Sequence, residues 1–181
     1  MSLANLRQLF PTFFSLTLAA SLASAALGTQ LLDGAGEIEI ARRRTAYELI
    51  ERGERLAIRG EVTAAVVALQ EADTMTSLWG VSANSWNVLC WYGSLWNQAE
   101  AVLEACHRAV ELEPENIEIL DSRGLARALT GDIGGAIADF SEFVEQTSDE
   151  NRRYQRQNWV NMLEAGEQPF TEDVLQMLFI D

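Results

Sequence analysis

The stretches ERGERLAIRGEVTAAVVALQEA (Glu51 to Ala72) and SRGLARALTGDIGGAIADFSEF (Ser122 to Phe143) repeat one another 71 residues apart. Arg52-Gly53 aligns with Arg123-Gly124, Gly60 with Gly131, Ala65 with Ala136 and Leu69 with Phe140. An offset of 71 is two units of about 35, so a middle copy is required. It is the segment around WNVLCWYGSLW, which places Trp86 between Leu49 and Leu120, Cys90 between Gly53 and Gly124, and Val102 between Ala65 and Ala136. The middle copy lies 37 residues after the first and 34 before the third, which puts three extra residues in the DTMTSLWGVS connection. Repeats of this length stack neighbour on neighbour, and one unit cannot bury its apolar face alone.

Each unit reads as two amphipathic helices around a short turn. In the third, Leu120, Gly124 and Ala128-Leu129 keep helical spacing, GD makes the turn, and Ile133, Ala136, Ile137 and Phe140 resume the period. Antiparallel helices that cross closely need small residues at the crossing. This predicts Gly53, Cys90 and Gly124 facing Ala65, Val102 and Ala136, with Pro114 ending the second unit's second helix. After the third unit, DENRRYQRQNWVNMLEAGEQP predicts a largely polar helix with Trp159, Met162 and Leu163 on one apolar stripe, Tyr154 to its side, and Pro169 as the breaker. Thr171 is placed to cap a last short helix, EDVLQMLFI. Residues with strand preference are sparse, so the fold class is all-α.

The SRGLARALTGDIGGAIADF unit and the AVELEPEN ending resemble the tetratricopeptide repeat (TPR) family. The resemblance implies a right-handed α-α superhelix of three hairpins, over 46–79, 83–116 and 117–150, followed by capping helices over 151–181. Val102, where the family prefers alanine, and Gly93, where it usually has an aromatic, depart from the pattern. WNVLCWYGSLW, DSRGLARALTGD and QRQNWVNMLEAGEQPFT together resemble TPR segments of cyanobacterial multidomain proteins, in which such segments tend to accompany propeller or enzymatic domains. TPR arrays bind proteins or peptides and seldom do chemistry.

Ahead of the repeats, residues 8–32 carry no charge, and small residues gather toward the end of LFPTFFSLTLAASLASAALG. Arg7 and the terminal amine precede it, and Ala23-Ser24-Ala25 satisfies the small-x-small rule, so 1–25 reads as a secretory signal peptide cleaved after Ala25. The alternative is an uncleaved membrane anchor, since such a run is long enough to span a bilayer. Arg42, Arg43 and Arg44 outnumber Arg7 and would hold the domain of an uncleaved anchor in the cytoplasm. Residues 26–45 are then linker and helix lead-in. The expected location is secreted, periplasmic or lumenal, with tethering through residues 8–32 as the variant.

Three of the five tryptophans fall within eleven residues, and helical geometry divides them. Trp86, Leu89, Cys90 and Gly93 form one stripe, so Trp86 is core. Trp91 is five positions on, about 140° around, and leaves that stripe. Trp96 sits at the turn and pins the hairpin. In TPR arrays the first helix of each unit lines a concave groove, and the resemblance places Asn84, Asn87, Val88, Trp91, Ser94 and Leu95 there. Glu51 and Glu54 take the equivalent positions in the first unit, and Glu118, Asp121 and Ser122 in the third. Trp91 is a candidate anchor, since interfaces favour a buried ring; the competing expectation is that it packs on the next repeat. Four carboxylates around one indole predict a protein or peptide partner with a basic or apolar segment; the competing expectation is a solvated acidic face. The lysine, arginine and asparagine set that clamps a terminal carboxylate in some TPR grooves is missing from these positions. Arg123 and Asp139 are placed to pair across the third hairpin.

Cys90 and Cys106 lie on facing helices, in slots that are Gly53/Gly124 and Leu69/Phe140 elsewhere. Both slots have a packing reason, so two small buried thiols are expected and a disulfide is the disfavoured alternative. Zinc held by Cys90, Cys106 and His107 is disfavoured too: adjacent helical residues diverge by about 100° and no fourth ligand is apparent. His107, the only histidine, is expected on the outer face. A net charge of −14, with all 13 basic residues arginine, repels phosphate backbones and argues against nucleic acid. No phosphate loop, H-E-x-x-H or G-x-S-x-G is present, so neither an enzyme nor a cofactor is expected. The leading expectation is an exported or membrane-tethered adaptor. The alternative is a subunit packed permanently in a larger complex through its convex face or C-terminal helix.

Overall fold

In the computed structural model the described residues are 16–75 and 80–180, with side chains from residue 36 onward. Among them all regular structure is helical: α1 (Leu16–Ile58), α2 (Val62–Met75), α3 (Ala83–Leu95), α4 (Ala99–Leu112), α5 (Ile117–Thr130), α6 (Ile133–Gln146), α7 (Glu150–Glu164) and α8 (Glu172–Met177). The chain divides into two compact units, Met1–Arg42 and Arg43–Asp181. In the first, residues 1–15 of the expected signal or anchor lie outside the described residues, and the remainder is known as helical backbone of α1. Residues 26–45, expected as a linker and lead-in, are helical throughout. Among the described residues no helix is long and apolar enough to cross a membrane.

In the second unit the helices pack in adjacent pairs: α3 with α4, α5 with α6, each pair on the next, and α7 on α6. First helices also stack on one another, α3 on α5, as do second helices, α2 on α4. The turns inside the three hairpins are equivalent. Each has one residue in the left-handed region: Gly60 at φ +81°, Asn97 at +56° and Gly131 at +88°. Glycine enters that region without a Cβ clash, and asparagine is among the few other residues that tolerate it. Helix starts are capped by short polar side chains that accept from otherwise orphaned amides: Ser82 from Ser85 N at 3.1 Å, Asn116 from Glu118 N at 3.1 Å, Asp132 from Gly135 N at 3.0 Å.

The close crossing in each hairpin joins residues 16 apart, and here the pairing differs from expectation. A Cβ on Gly53 would stand 2.8 Å from Leu69 Cγ, and one on Gly124 would stand 2.9 Å from the Phe140 ring. The small residue therefore faces the side chains of Leu69 and Phe140 most closely, with the expected Ala65 also near Gly53 through its backbone oxygen at 3.4 Å. In the middle hairpin the corresponding pair is Cys90 and Cys106, with Cα atoms 4.9 Å apart, and they form a disulfide. This corrects the expectation of two free thiols. Elsewhere the slots hold one very small and one large side chain; two medium ones at the same crossing bring their sulfurs together.

Val102 faces Gly93, where a Cβ would stand 2.4 Å from its Cγ1. The two positions thus compensate each other: the missing side chain at 93 makes the room that valine at 102 fills.

Two apolar clusters result. One runs from Ile50 through Leu69, Trp86, Leu89 and Val102 to Ala126. The other joins Leu95, Leu125 and Phe140 to Trp159, Leu163, Phe170, Leu175 and Leu178. Within the second, Trp159 meets Phe140 and Phe170 edge-on at 5.4 and 4.9 Å between ring centroids, and Phe140 and Phe170 are tilted at 6.0 Å. Trp159 and Leu163 are buried, Met162 half-buried and Tyr154 exposed, as the stripe predicted. Helix α7 ends before Pro169 is reached. Gly166 turns left-handed at φ +78°, and Glu167 N donates to Met162 O at 2.8 Å, a Schellman-type closure.

Candidate interaction site

The residues singled out for a groove divide in the structure. Asn87 and Trp91 of α3 meet Glu118, Asp121 and Ser122 of α5 in a cleft of about 280 Å³ that Arg152 and Arg156 of α7 complete. Trp91 is half-buried: one portion of the ring packs on the second apolar cluster and another lines the cleft. Asn84 is exposed, Val88 half-buried and Ser94 buried, its hydroxyl donating to Cys90 O at 2.7 Å. None of these three lines the cleft. Leu95 is buried beside Phe170 and Leu175, so it is unavailable on an open groove. Glu51 is exposed and paired with Arg55 of its own helix at 3.5 Å, and Glu54 is half-buried. Neither joins the cleft around Trp91.

Electrostatically the cleft is neutral where an acidic one was expected. Asp121, 2 % exposed, accepts from Arg156 Nε at 2.9 Å and Nη2 at 2.7 Å, and from Arg152 Nη2 at 3.1 Å. Arg152 also grips Glu118 with both terminal nitrogens, at 2.9 and 2.7 Å. Burial alone would lower the Arg152 pKa; the hydrogen bonds and charges of Glu118 and Asp121 outweigh it and raise the guanidinium above its ordinary value. Arg152 further lies 4.6 Å from the Phe143 ring centre, and Arg156 lies 4.4 Å from that of Trp159. Ser122 donates to Glu118 O at 3.1 Å. The buried Asn87 Oδ1 has no hydrogen-bond partner. Two carboxylates and two guanidiniums thus frame one indole and one unsatisfied amide oxygen. Such a site can take an apolar side chain on the ring.

The two arginines were missed in the sequence. A signal existed: Arg152 and Arg156 stand 34 and 35 residues beyond Glu118 and Asp121, the repeat period once more. Helix α7 packs on α6, and its basic residues take up the acids of α5.

The remaining expectations fall elsewhere. Arg123 and Asp139 pair as predicted, Nε and Nη2 donating at 2.8 and 2.7 Å, and Arg127 Nη1 adds a third bond at 2.9 Å. Trp86 is core. Trp96 pins more than its own turn: its Nε1 donates to Ile58 O at 3.3 Å, and its ring lies over Gly60 and edge-on to Phe179 at 4.9 Å. His107 is half-buried. Among the described residues no group of three or more His, Cys, Asp or Glu side chains is arranged to hold a metal ion. No known protein-family model matches this chain, and no curated protein sequence matches it.

Proposed function

We propose that this chain is a non-enzymatic adaptor. Its second unit is read as a right-handed superhelix of three TPR hairpins closed by α7, binding a partner segment along the concave side of α3, α5 and α7. The observation that carries this reading is the cleft in which the half-buried indole of Trp91 stands beside Asn87, Ser122 and the paired charges of Glu118, Asp121, Arg152 and Arg156. An aromatic platform ringed by polar groups is a common way for an interface to anchor one apolar side chain. Placement outside the cytoplasm, secreted or tethered, is supported by the apolar N-terminal segment and by the Cys90–Cys106 disulfide, which persists in oxidising compartments.

Affinity capture from membrane and soluble extracts of the native host, comparing wild type with Trp91→Ala, tests the reading. Circular dichroism checks that both are folded. A partner recovered by wild type and lost by the folded variant supports the cleft. A partner retained equally by both moves the interface elsewhere. A second reading, a subunit packed permanently in a larger complex, is favoured by Met177 and Ile180, which leave the C-terminal segment with exposed apolar side chains.

A further inference from the structure

Residues 170–180 do more than extend the cap. Phe170, Leu175 and Leu178 are buried in the same apolar cluster as Leu95 of α3 and Leu125 and Ala128 of α5. Phe179 stands 6.2 Å from the Tyr92 ring and 4.9 Å, edge-on, from Trp96. Gln168 Nε2 donates to Ala128 O at 3.2 Å. The segment therefore turns back from α7 and rests on the first helices of the second and third hairpins.

The hold is thin. Helix α8 spans six residues, far below the length at which a helix persists alone. A cleft of about 360 Å³ remains among Leu95, Trp96 and Asn97 on one side and Phe170, Leu175 and Phe179 on the other. Met177 is 60 % and Ile180 88 % exposed, so the segment buries only one of its apolar edges. Gly166, left-handed and with open space about its α-carbon, begins the connection that carries it. A short amphipathic helix, tethered by a few residues and imperfectly packed on an apolar face, has the features of a bound peptide.

We propose that the face formed by Tyr92, Leu95 and Trp96 of α3 with Leu125 and Ala128 of α5 is a docking surface for a short amphipathic helix of a partner protein, one presenting an aromatic ring and two leucines, and that residues 170–180 are its exchangeable resident. The cleft beside this segment shares no lining residue with the Trp91 cleft, and the proposal does not depend on the reading of that cleft. The chemistry of the occupant is given by the segment seated there now. Docked by side chains at alternate turns of a helix, it follows the helix-in-groove mode of recognition. The tether gives the resident an effective concentration of about millimolar, so an incoming helix must bind correspondingly better, or bind a chain whose own segment has been pulled away.

The test uses the full chain. Leu175→Asp with Leu178→Asp undocks the segment, and the probe is a fluorescein-labelled peptide of residues 168–180 followed by anisotropy. We expect the peptide to bind the double variant at least ~10-fold more tightly than wild type, where the tethered copy competes. A peptide carrying the same two substitutions binds neither protein. A variant that stays folded by circular dichroism yet ignores the wild-type peptide overturns the proposal. So does a variant that unfolds, because the segment is then part of the core. Hydrogen exchange on the wild type gives an independent reading: amides of 172–180 should exchange at least ~10-fold faster than those of α5, and exchange only with global unfolding would refute it. A wild-type dimer that the double variant abolishes would also overturn the proposal, assigning the face to a second copy of the chain.

Discussion

Arg156 of α7 holds Asp121 of α5 across 35 residues of sequence, through Nε at 2.9 Å and Nη2 at 2.7 Å, with both side chains almost wholly removed from water. Two charges in such a place are stabilising only as a pair, because each would bear the full loss of hydration alone.

Removing one partner should therefore be severe. Asp121→Ala is expected to cost about 3–5 kcal/mol, Arg156→Ala less because Arg152 Nη2 still donates to Asp121 at 3.1 Å, and replacing both by apolar side chains, Asp121→Leu with Arg156→Met, should recover most of the larger loss. Urea denaturation of the three variants against wild type measures this. Similar losses for the single and the double changes would mean that α7 is held by its apolar stripe and not by the pair.

Gly124 lies where a Cβ would come within 2.9 Å of Phe140, a ring fixed between Trp159 and Phe170. Gly124→Ala should destabilise by about 1–3 kcal/mol through overpacking. Phe140→Leu in the same chain should relieve part of the loss. Thermal unfolding of the pair, read as a double-mutant cycle, would show a coupling that independent sites lack.

The Cys90–Cys106 bridge closes a loop of 16 residues. By loop entropy such a link contributes about 3 kcal/mol. Denaturation midpoints with and without reductant should differ by that order, whereas Cys90→Ala with Cys106→Ala should be insensitive to reductant. A wild type equally insensitive would show that the bridge adds no stability.

Arg152 has a pKa raised above its ordinary value, despite the opposing effect of burial, by Glu118 and Asp121. A raised basic pKa contributes stability that is fully present below the unfolded value and lost only as pH rises through the folded one, here in the strongly alkaline range. The coupling between Arg152 and Glu118, about 0–1 kcal/mol for a half-exposed pair, should thus be the same at pH 7 and pH 9. Double-mutant cycles with Arg152→Ala and Glu118→Ala at both values check this. A coupling that falls between them would contradict the assignment.

Much of the fold is legible in the sequence because repetition multiplies weak signals. Gly60 and Gly131 mark two turns, and the repeat offset carries the third to Asn97. Trp86 as core and Arg123 with Asp139 as a pair followed from position within the unit. The disulfide was disfavoured because each cysteine slot had a sufficient packing reason by itself. The shared separation of 16 residues, which joins Gly53 to Leu69 and Gly124 to Phe140, places the two slots directly against each other. The neutral cleft was hidden because a polar helix such as α7 reads as solvated, and the partner of a buried acid cannot be told from composition. The return of residues 170–180 onto α3 and α5 was hidden because a six-residue helix has too few positions to declare which surface it will find.

Gly93 and Val102 fit each other as a void and its filling, and this sets an order on how the chain can change. A side chain gained first at 93 collides with valine, with overpacking of a kind that usually costs about 1–3 kcal/mol. Valine shortened first leaves a small hole, a loss of similar order but one that the next change can fill. A larger side chain at 93 is therefore tolerated only after 102 has been shortened, and the two positions can be altered together where neither can be enlarged alone.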